Sequence, residues 1–148
     1  MMYQHILVAV DESDIAKQAL HEAISLSKEH KAKLRLVHVV NEFYSGYLVA
    51  GVDYEQLELS FRQGAQKLLD EMETIARKEH MECDSQLIEI KSEERISEKI
   101  IEAAKDWPAD LLVIGTHGRR GFQHFILGSV AEGVIRRASI PVLLVRGK

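Results

Sequence analysis

The sequence predicts an open, doubly wound α/β domain of five parallel strands and four helices, occupying residues 1–148. Three observations predict it. Runs such as His5-Ile-Leu-Val-Ala-Val10 and Leu111-Leu-Val-Ile114 are apolar without alternation, as expected of strands covered on both faces. The stretches between such runs carry apolar residues at helical spacing. The two kinds of segment then alternate strictly along the chain, with no internal repeat, which is the pattern of a parallel sheet with crossover helices.

Taken in order, the strand His5–Val10 ends in Asp11-Glu-Ser-Asp14, where Ser13 or Asp14 supplies a helix cap. Ile15, Ala16, Ala19, Leu20, Ala23, Ile24 and Leu26 then mark a helix that ends near residues 29–31. Leu34–Val40 is the second strand, and the β-α-β crossover is right-handed by the general rule. The connection 41–53 is long for a compact domain, a length typical of binding loops and lids. Leu57, Phe61, Ala65, Leu68, Leu69, Met72 and Ile75 give an amphipathic helix over about 54–80. Ser85–Ile90 alternates like a half-buried strand near a sheet edge. Ile96, Ile100, Ile101, Ala103 and Ala104 form a third helix closed by Asp106-Trp-Pro-Ala. The strand 111–114, a glycine-rich loop and a fourth helix to about Ala138 follow. The last strand is 141–146, with Pro141 at its first position, where a missing N–H does least harm.

Composition narrows the function. A net charge of −4 lacks the basic footprint that non-specific nucleic-acid binding requires. No apolar run reaches bilayer length and the first residues lack a signal-peptide layout, so no membrane association is expected and a cytoplasmic location is. The single cysteine, Cys83, cannot form an internal disulfide. The seven histidines show no metal-ligand spacing, so no structural metal is expected.

The chemistry concentrates in Gly115-Thr-His-Gly-Arg-Arg-Gly-Phe-Gln-His-Phe-Ile-Leu-Gly-Ser129, between a buried strand and a helix start. Main-chain amides approach a phosphate closely where Cβ is absent, and the first turn of a helix offers unpaired N–H groups with partial positive charge. An anion site follows. It is not a Walker A loop, because Gly128 rather than lysine precedes Ser129, and Asp11-Glu-Ser-Asp14 stands where a dinucleotide fingerprint would follow the first strand. What remains is Gly-x2-Gly-x9-Gly-Ser. Arg119, Arg120 and His117 lie in the loop; phosphate neutralisation and plain solvation account equally for the arginines, and an exposed loop position accounts for His117 better than a general base does. His38, inside an apolar strand, reads as a hydrogen-bonded core residue.

Asp110-Leu-Leu-Val-Ile-Gly-Thr-His-Gly, Leu127-Gly-Ser-Val-Ala-Glu and Ile140-Pro-Val-Leu-Leu-Val-Arg146 closely resemble the universal stress protein family, and His5–Asp11 and Leu36–Val40 are similar to its first two strands. The resemblance spans essentially the whole chain, and the spacing of Gly115, Gly118, Gly128 and Ser129 resembles the ATP-binding branch. It implies a Rossmann-like sheet of order 3-2-1-4-5 that binds ATP, with or without Mg²⁺, and acts as a regulator or sensor in the stress response. It implies that Ala9, Val10 and Asp11 lie beside the nucleotide, with Asp11 facing ribose hydroxyls or a phosphate-bound metal ion. Val39 would read the adenine edge through its backbone. Gly115 and Gly118 would admit ribose and phosphates, and Gly128, Ser129 and Val130 would bind phosphate at the helix start. An uncharged last strand, Val142-Leu-Leu-Val145, is an unprotected edge, and the resemblance implies a homodimer paired through 142–146. Two rivals remain: a slow ATPase or phosphotransferase using the same cleft, and a dimeric scaffold without nucleotide.

Overall fold

The computed structural model describes residues 2–41, 53–90, 93–117 and 127–147. Its elements are β1 (His5–Ala9), α1 (Asp14–His30), β2 (Lys33–Asn41), α2 (Tyr54–Lys78), β3 (Cys83–Ile90), α3 (Ile96–Asp106), β4 (Leu111–Gly115), α4 (Ser129–Arg137) and β5 (Val142–Val145). The five strands form one parallel sheet of order β3-β2-β1-β4-β5, the order that the family resemblance implies. Strand order reverses between β1 and β4, so the crevice of this sheet opens where those two strands end.

Successive side chains of each strand face opposite layers. Ile6, Val8 and Val10 pack with Leu34, Leu36 and Val113 beneath α1 and α2. Leu7, Ala9, Val37, Val39, Leu112 and Ile114 pack beneath α3 and α4. Both sides of β1 are therefore dry, and its fully buried Ile6 and Leu7 each contribute about 1.5–3 kcal/mol of transfer free energy. Gly133 brings α3 and α4 together: a Cβ there would stand 2.7 Å from Ser97 Cβ and closer still to its hydroxyl. That approach seats the middle of α4 against the first turn of α3.

Several boundaries differ from the sequence reading. Ser13, not Asp14, caps α1, its hydroxyl accepting the Ala16 N–H at 3.2 Å. β1 stops at Ala9, although the Val10 N–H still reaches the Val37 carbonyl at 2.9 Å. α2 ends at Lys78, with His80 in the left-handed region at φ 62°. β3 begins two residues early because Cys83 and Asp84 pair with Leu34 and Arg35, and the Arg35 guanidinium grips the Asp84 carboxylate at 2.8 and 3.1 Å. Pro141 precedes β5, lending only its carbonyl to the Leu112 N–H at 3.0 Å, and Arg146 lies past the strand's end. Of the connection 41–53, Asn41 ends β2 and Asp53 caps α2 by accepting the Glu55 and Gln56 N–H groups; the rest lies outside the described residues. So do Gly118, Arg119 and Arg120.

Candidate functional site

Three chain segments meet at the carboxyl edge of the sheet. The first is the end of β1. Asp11 turns the chain towards α1 and its Oδ1 accepts both the backbone N–H (2.8 Å) and the hydroxyl of Ser13. Ser13 in turn caps the helix, so Asp11 is not itself the cap: it fixes the residue that is, and its Oδ2 takes no part in the turn.

The second segment is the end of β4 with the start of α4. The Gly128 N–H donates to the Thr116 carbonyl at 2.7 Å, and the Thr116 N–H to Val145 at 2.9 Å. The chain leaving β4 and the chain entering α4 are thus tied at a neck. A Cβ on Gly128 would meet His117 Cα at 3.1 Å and the Thr116 carbonyl at 3.2 Å, which is why glycine stands there. Gly115 is constrained on its other side, where a Cβ would lie 3.1 Å from both Cγ atoms of Ile15 in the first turn of α1. The first intrahelical bond of α4 runs from Glu132 N–H to Gly128 carbonyl. The N–H groups of Ser129, Val130 and Ala131 therefore have no intrahelical acceptor and open onto the edge of the sheet.

The third segment is the end of β2. Val39 faces α3, while His38 points to the side of the sheet covered by α1 and α2 and donates from Nδ1 to the Val10 carbonyl at 2.8 Å. Burial holds the His38 pKa below its ordinary 6.5, although the bond to Val10 and the charge of Asp11 pull the other way.

Together these segments enclose a cleft of about 460 Å³, within the range of small-molecule sites. Ala9, Val10, Asp11, Val39, Gly115, Gly128, Ser129 and Val130 all border it. Of the candidate site residues, Gly118 alone lies outside the described residues. The cleft has an apolar wall, in which Ile96 and Ile100 of α3 stand near Val39, and a polar rim of Asp11, Ser13 and Ser129. Such a cleft suits a ligand with a flat apolar part, hydroxyls and an anionic end.

Ser13, His38 and His117 also border the cleft, and the sequence reading left all three out of the site. Ser13 was legible as a cap, and any cap of α1 stands at the carboxyl edge. Register exposes His38: Ala9 pairs with Val37, so His38 follows beside Val10. His117 sits beside the Thr116 hydroxyl, its Nδ1 3.3 Å from Oγ1. Ile96 was predictable too, since every helix that follows a strand here starts at this edge.

Among the described residues no group of three or more His, Cys, Asp or Glu side chains is arranged to hold a metal ion. Cys83 stands at the opposite edge of the sheet. Burial, with Glu73 and Asp84 nearby, pushes its thiol up to about 11, so it is protonated at neutral pH and a poor nucleophile. No helix among the described residues is long and apolar enough to cross a membrane.

Fold and site together define an α/β domain whose cleft lies at the switch point of a five-stranded parallel sheet. The family model of the universal stress protein family matches residues 2–146, and the chain belongs to that family. A universal stress protein of Methanocaldococcus jannaschii is 31% identical over 145 residues, covering 98% of this chain and 83% of the relative. A universal stress protein family member from Burkholderia pseudomallei has a crystal structure that superposes with a TM-score of 0.77 at 33% identity, over 97% of this chain and 96% of that one. The universal stress protein from Archaeoglobus fulgidus, solved in complex with dAMP, superposes with a TM-score of 0.68 at 25% identity, over 98% of this chain and 99% of that one.

Proposed function

We propose that this universal stress protein binds ATP in the cleft between β1 and β4 and acts as a nucleotide-dependent regulator or sensor in the stress response. The observation that carries the reading is the convergence of Asp11, Val39, Gly115 and the Gly128–Val130 helix start on one cleft of about 460 Å³. The dAMP held by the Archaeoglobus relative supports an adenine nucleotide as the ligand class.

In this reading the adenine packs on the apolar wall of Ile96 and Ile100 and takes its hydrogen bonds from the Val39 backbone. Asp11 accepts from ribose hydroxyls through the oxygen that Ser13 leaves available. Gly115 and Gly118 let the main chain pass close to the ligand, and the opening N–H groups of α4 together with the Ser129 hydroxyl take the phosphates. Mg²⁺, where present, fits the same donors: it prefers carboxylate oxygen, water and ligand phosphates to an all-protein cage, and Asp11 is the carboxylate at hand. Nucleotide held on the loop from Gly115 to Ser129 changes the surface shown to a protein partner in the cytoplasm.

Two copies pair through β5. Val142–Val145 is a sheet edge with four apolar, half-buried residues and no charge, a template for antiparallel pairing about a two-fold axis. Sedimentation at micromolar concentration should give a dimer, and Leu144→Lys should convert it to monomer; an unchanged mass in that variant rejects the pairing.

The nucleotide reading is tested by denaturing the purified protein and identifying released small molecules by mass spectrometry, then by calorimetry with ATP, AMP and dAMP. Co-purified ATP or ADP is expected, and Gly118→Val and Ser129→Ala should each weaken binding. Neither released nucleotide nor heat with any of the three would leave the scaffold reading. The ATPase reading draws on His117 bordering the cleft. Single-turnover hydrolysis that collapses in His117→Ala, with binding retained, would favour it.

A further inference from the structure

The carbonyl at the end of β1 is held by a side chain rather than by the sheet. At Val10 the N–H still reaches the Val37 carbonyl at 2.9 Å, but β1 has ended, and the Val10 carbonyl accepts from His38 Nδ1 at 2.8 Å. A carbonyl only accepts, so Nδ1 carries the proton of this imidazole. Because the peptide unit is planar, fixing the direction of the Val10 carbonyl fixes the Asp11 N–H and the N–Cα bond about which the Asp11 side chain is carried. Two residues further, Ser13 fixes Oδ1 of that side chain with its N–H and hydroxyl. Asp11 is thereby clamped from both sides, and both clamping residues border the cleft.

We propose that His38 is a positioning residue of the cleft: by donating from Nδ1 to the Val10 carbonyl it holds the Val10–Asp11 peptide plane and so sets the Asp11 carboxylate towards the bound ligand. The effect on ligand affinity rests on the nucleotide reading above; the effect on the peptide plane does not.

The two ring nitrogens make this testable. The Asn side-chain amide nitrogen can occupy the place of Nδ1, whereas that of Gln falls near Nε2. Full-length wild type, His38→Asn, His38→Gln and His38→Leu would be compared in two measurements. The first is the nuclear magnetic resonance peak that correlates the Asp11 amide with the Val10 carbonyl carbon. The second is ATP affinity by calorimetry. His38→Asn should keep the peak near its wild-type position and bind ATP within about twofold of wild type. His38→Gln and His38→Leu should shift the peak and weaken ATP about tenfold, the size of one lost hydrogen bond. If Gln restores both readouts and Asn neither, the donor is the other nitrogen and the proposal falls. It falls equally if His38→Leu matches wild type. Should wild type bind no adenine nucleotide, the nucleotide reading fails by itself. The peak then still decides the positioning role: displaced in Gln and Leu but not Asn upholds it, and undisplaced in all three overturns it.

Discussion

The two edges of this sheet are built from similar residues used in opposite ways. At the amino edge, side chains tie strand starts to one another and leave little unspent. Asp110 accepts the Gln4 and His5 N–H groups at 2.8 and 2.9 Å. His5 meets the edge of Trp107 at 5.0 Å between ring centroids, and the Arg35 guanidinium lies 4.9 Å above that ring while also gripping Asp84. At the carboxyl edge the carboxylate of Asp11 is held through one oxygen only, and the start of α4 has no side-chain cap. Even the histidines divide this way. His30 accepts the Tyr3 N–H with Nδ1 at the amino edge, while His38 donates from Nδ1 at the other. Polar capacity closed in on itself stabilises the fold. Polar capacity left pointing at a cleft is what a ligand can use, and it lies where strand order reverses.

The comparison breaks most readily at Gly128. Gly128→Val puts side-chain atoms against the His117 and Thr116 backbone, which have no rotamer through which to yield. The strain, about 1–3 kcal/mol, is relieved by displacing the neck that seats the loop. Affinity for ATP should fall roughly ten- to a hundredfold by calorimetry, with a smaller loss in thermal stability. The counterpart is Asp110→Ala, which strips two strand-start N–H groups of their acceptor. Urea unfolding should show a loss of about 1–3 kcal/mol, with ATP affinity unchanged. A Gly128→Val that costs only stability, or an Asp110→Ala that costs only affinity, would undo the division between the edges.

How far the sequence carried the reading follows from the same division. Strands covered on both faces must be apolar, so β1 and β4 were legible as uninterrupted runs and β2 as a run broken only by Arg35 and His38. The start of β3 was not, because Cys83-Asp84 satisfies no strand pattern and is recruited by Arg35 from another strand. Gly115, Gly128 and Ser129 were legible because a close backbone approach leaves glycines at fixed spacing. Gly133 carried a signal of its own, since glycine within a helix costs about 1 kcal/mol against alanine; its reason, Ser97 on α3, is a tertiary contact that no local pattern encodes. His38 lies between these cases. A polar residue within an apolar strand announces a hydrogen bond, but naming its acceptor requires the β1–β2 register.

The finest test of the two edges is the response to acid, and here the sign follows from His38. Burial lowers its pKa in the fold, against 6.5 for an ordinary histidine. Above pH 6.5 both folded and unfolded chains carry a neutral ring and this term is silent. As pH falls below 6.5, the unfolded chain takes up the proton first, so stability declines until the pH reaches the lowered folded value, and it does not recover below that. The bond to Val10 itself survives protonation, because Nδ1 is a donor in both forms; what is lost is the advantage of keeping the ring uncharged. His38→Asn retains a donor and cannot titrate. Urea unfolding of both proteins from pH 7.5 to 5 should therefore show the wild type losing ground to the variant only below about pH 6.5, the difference widening as the pH falls. A constant difference across that range would mean that the carboxyl edge holds His38 for geometry alone.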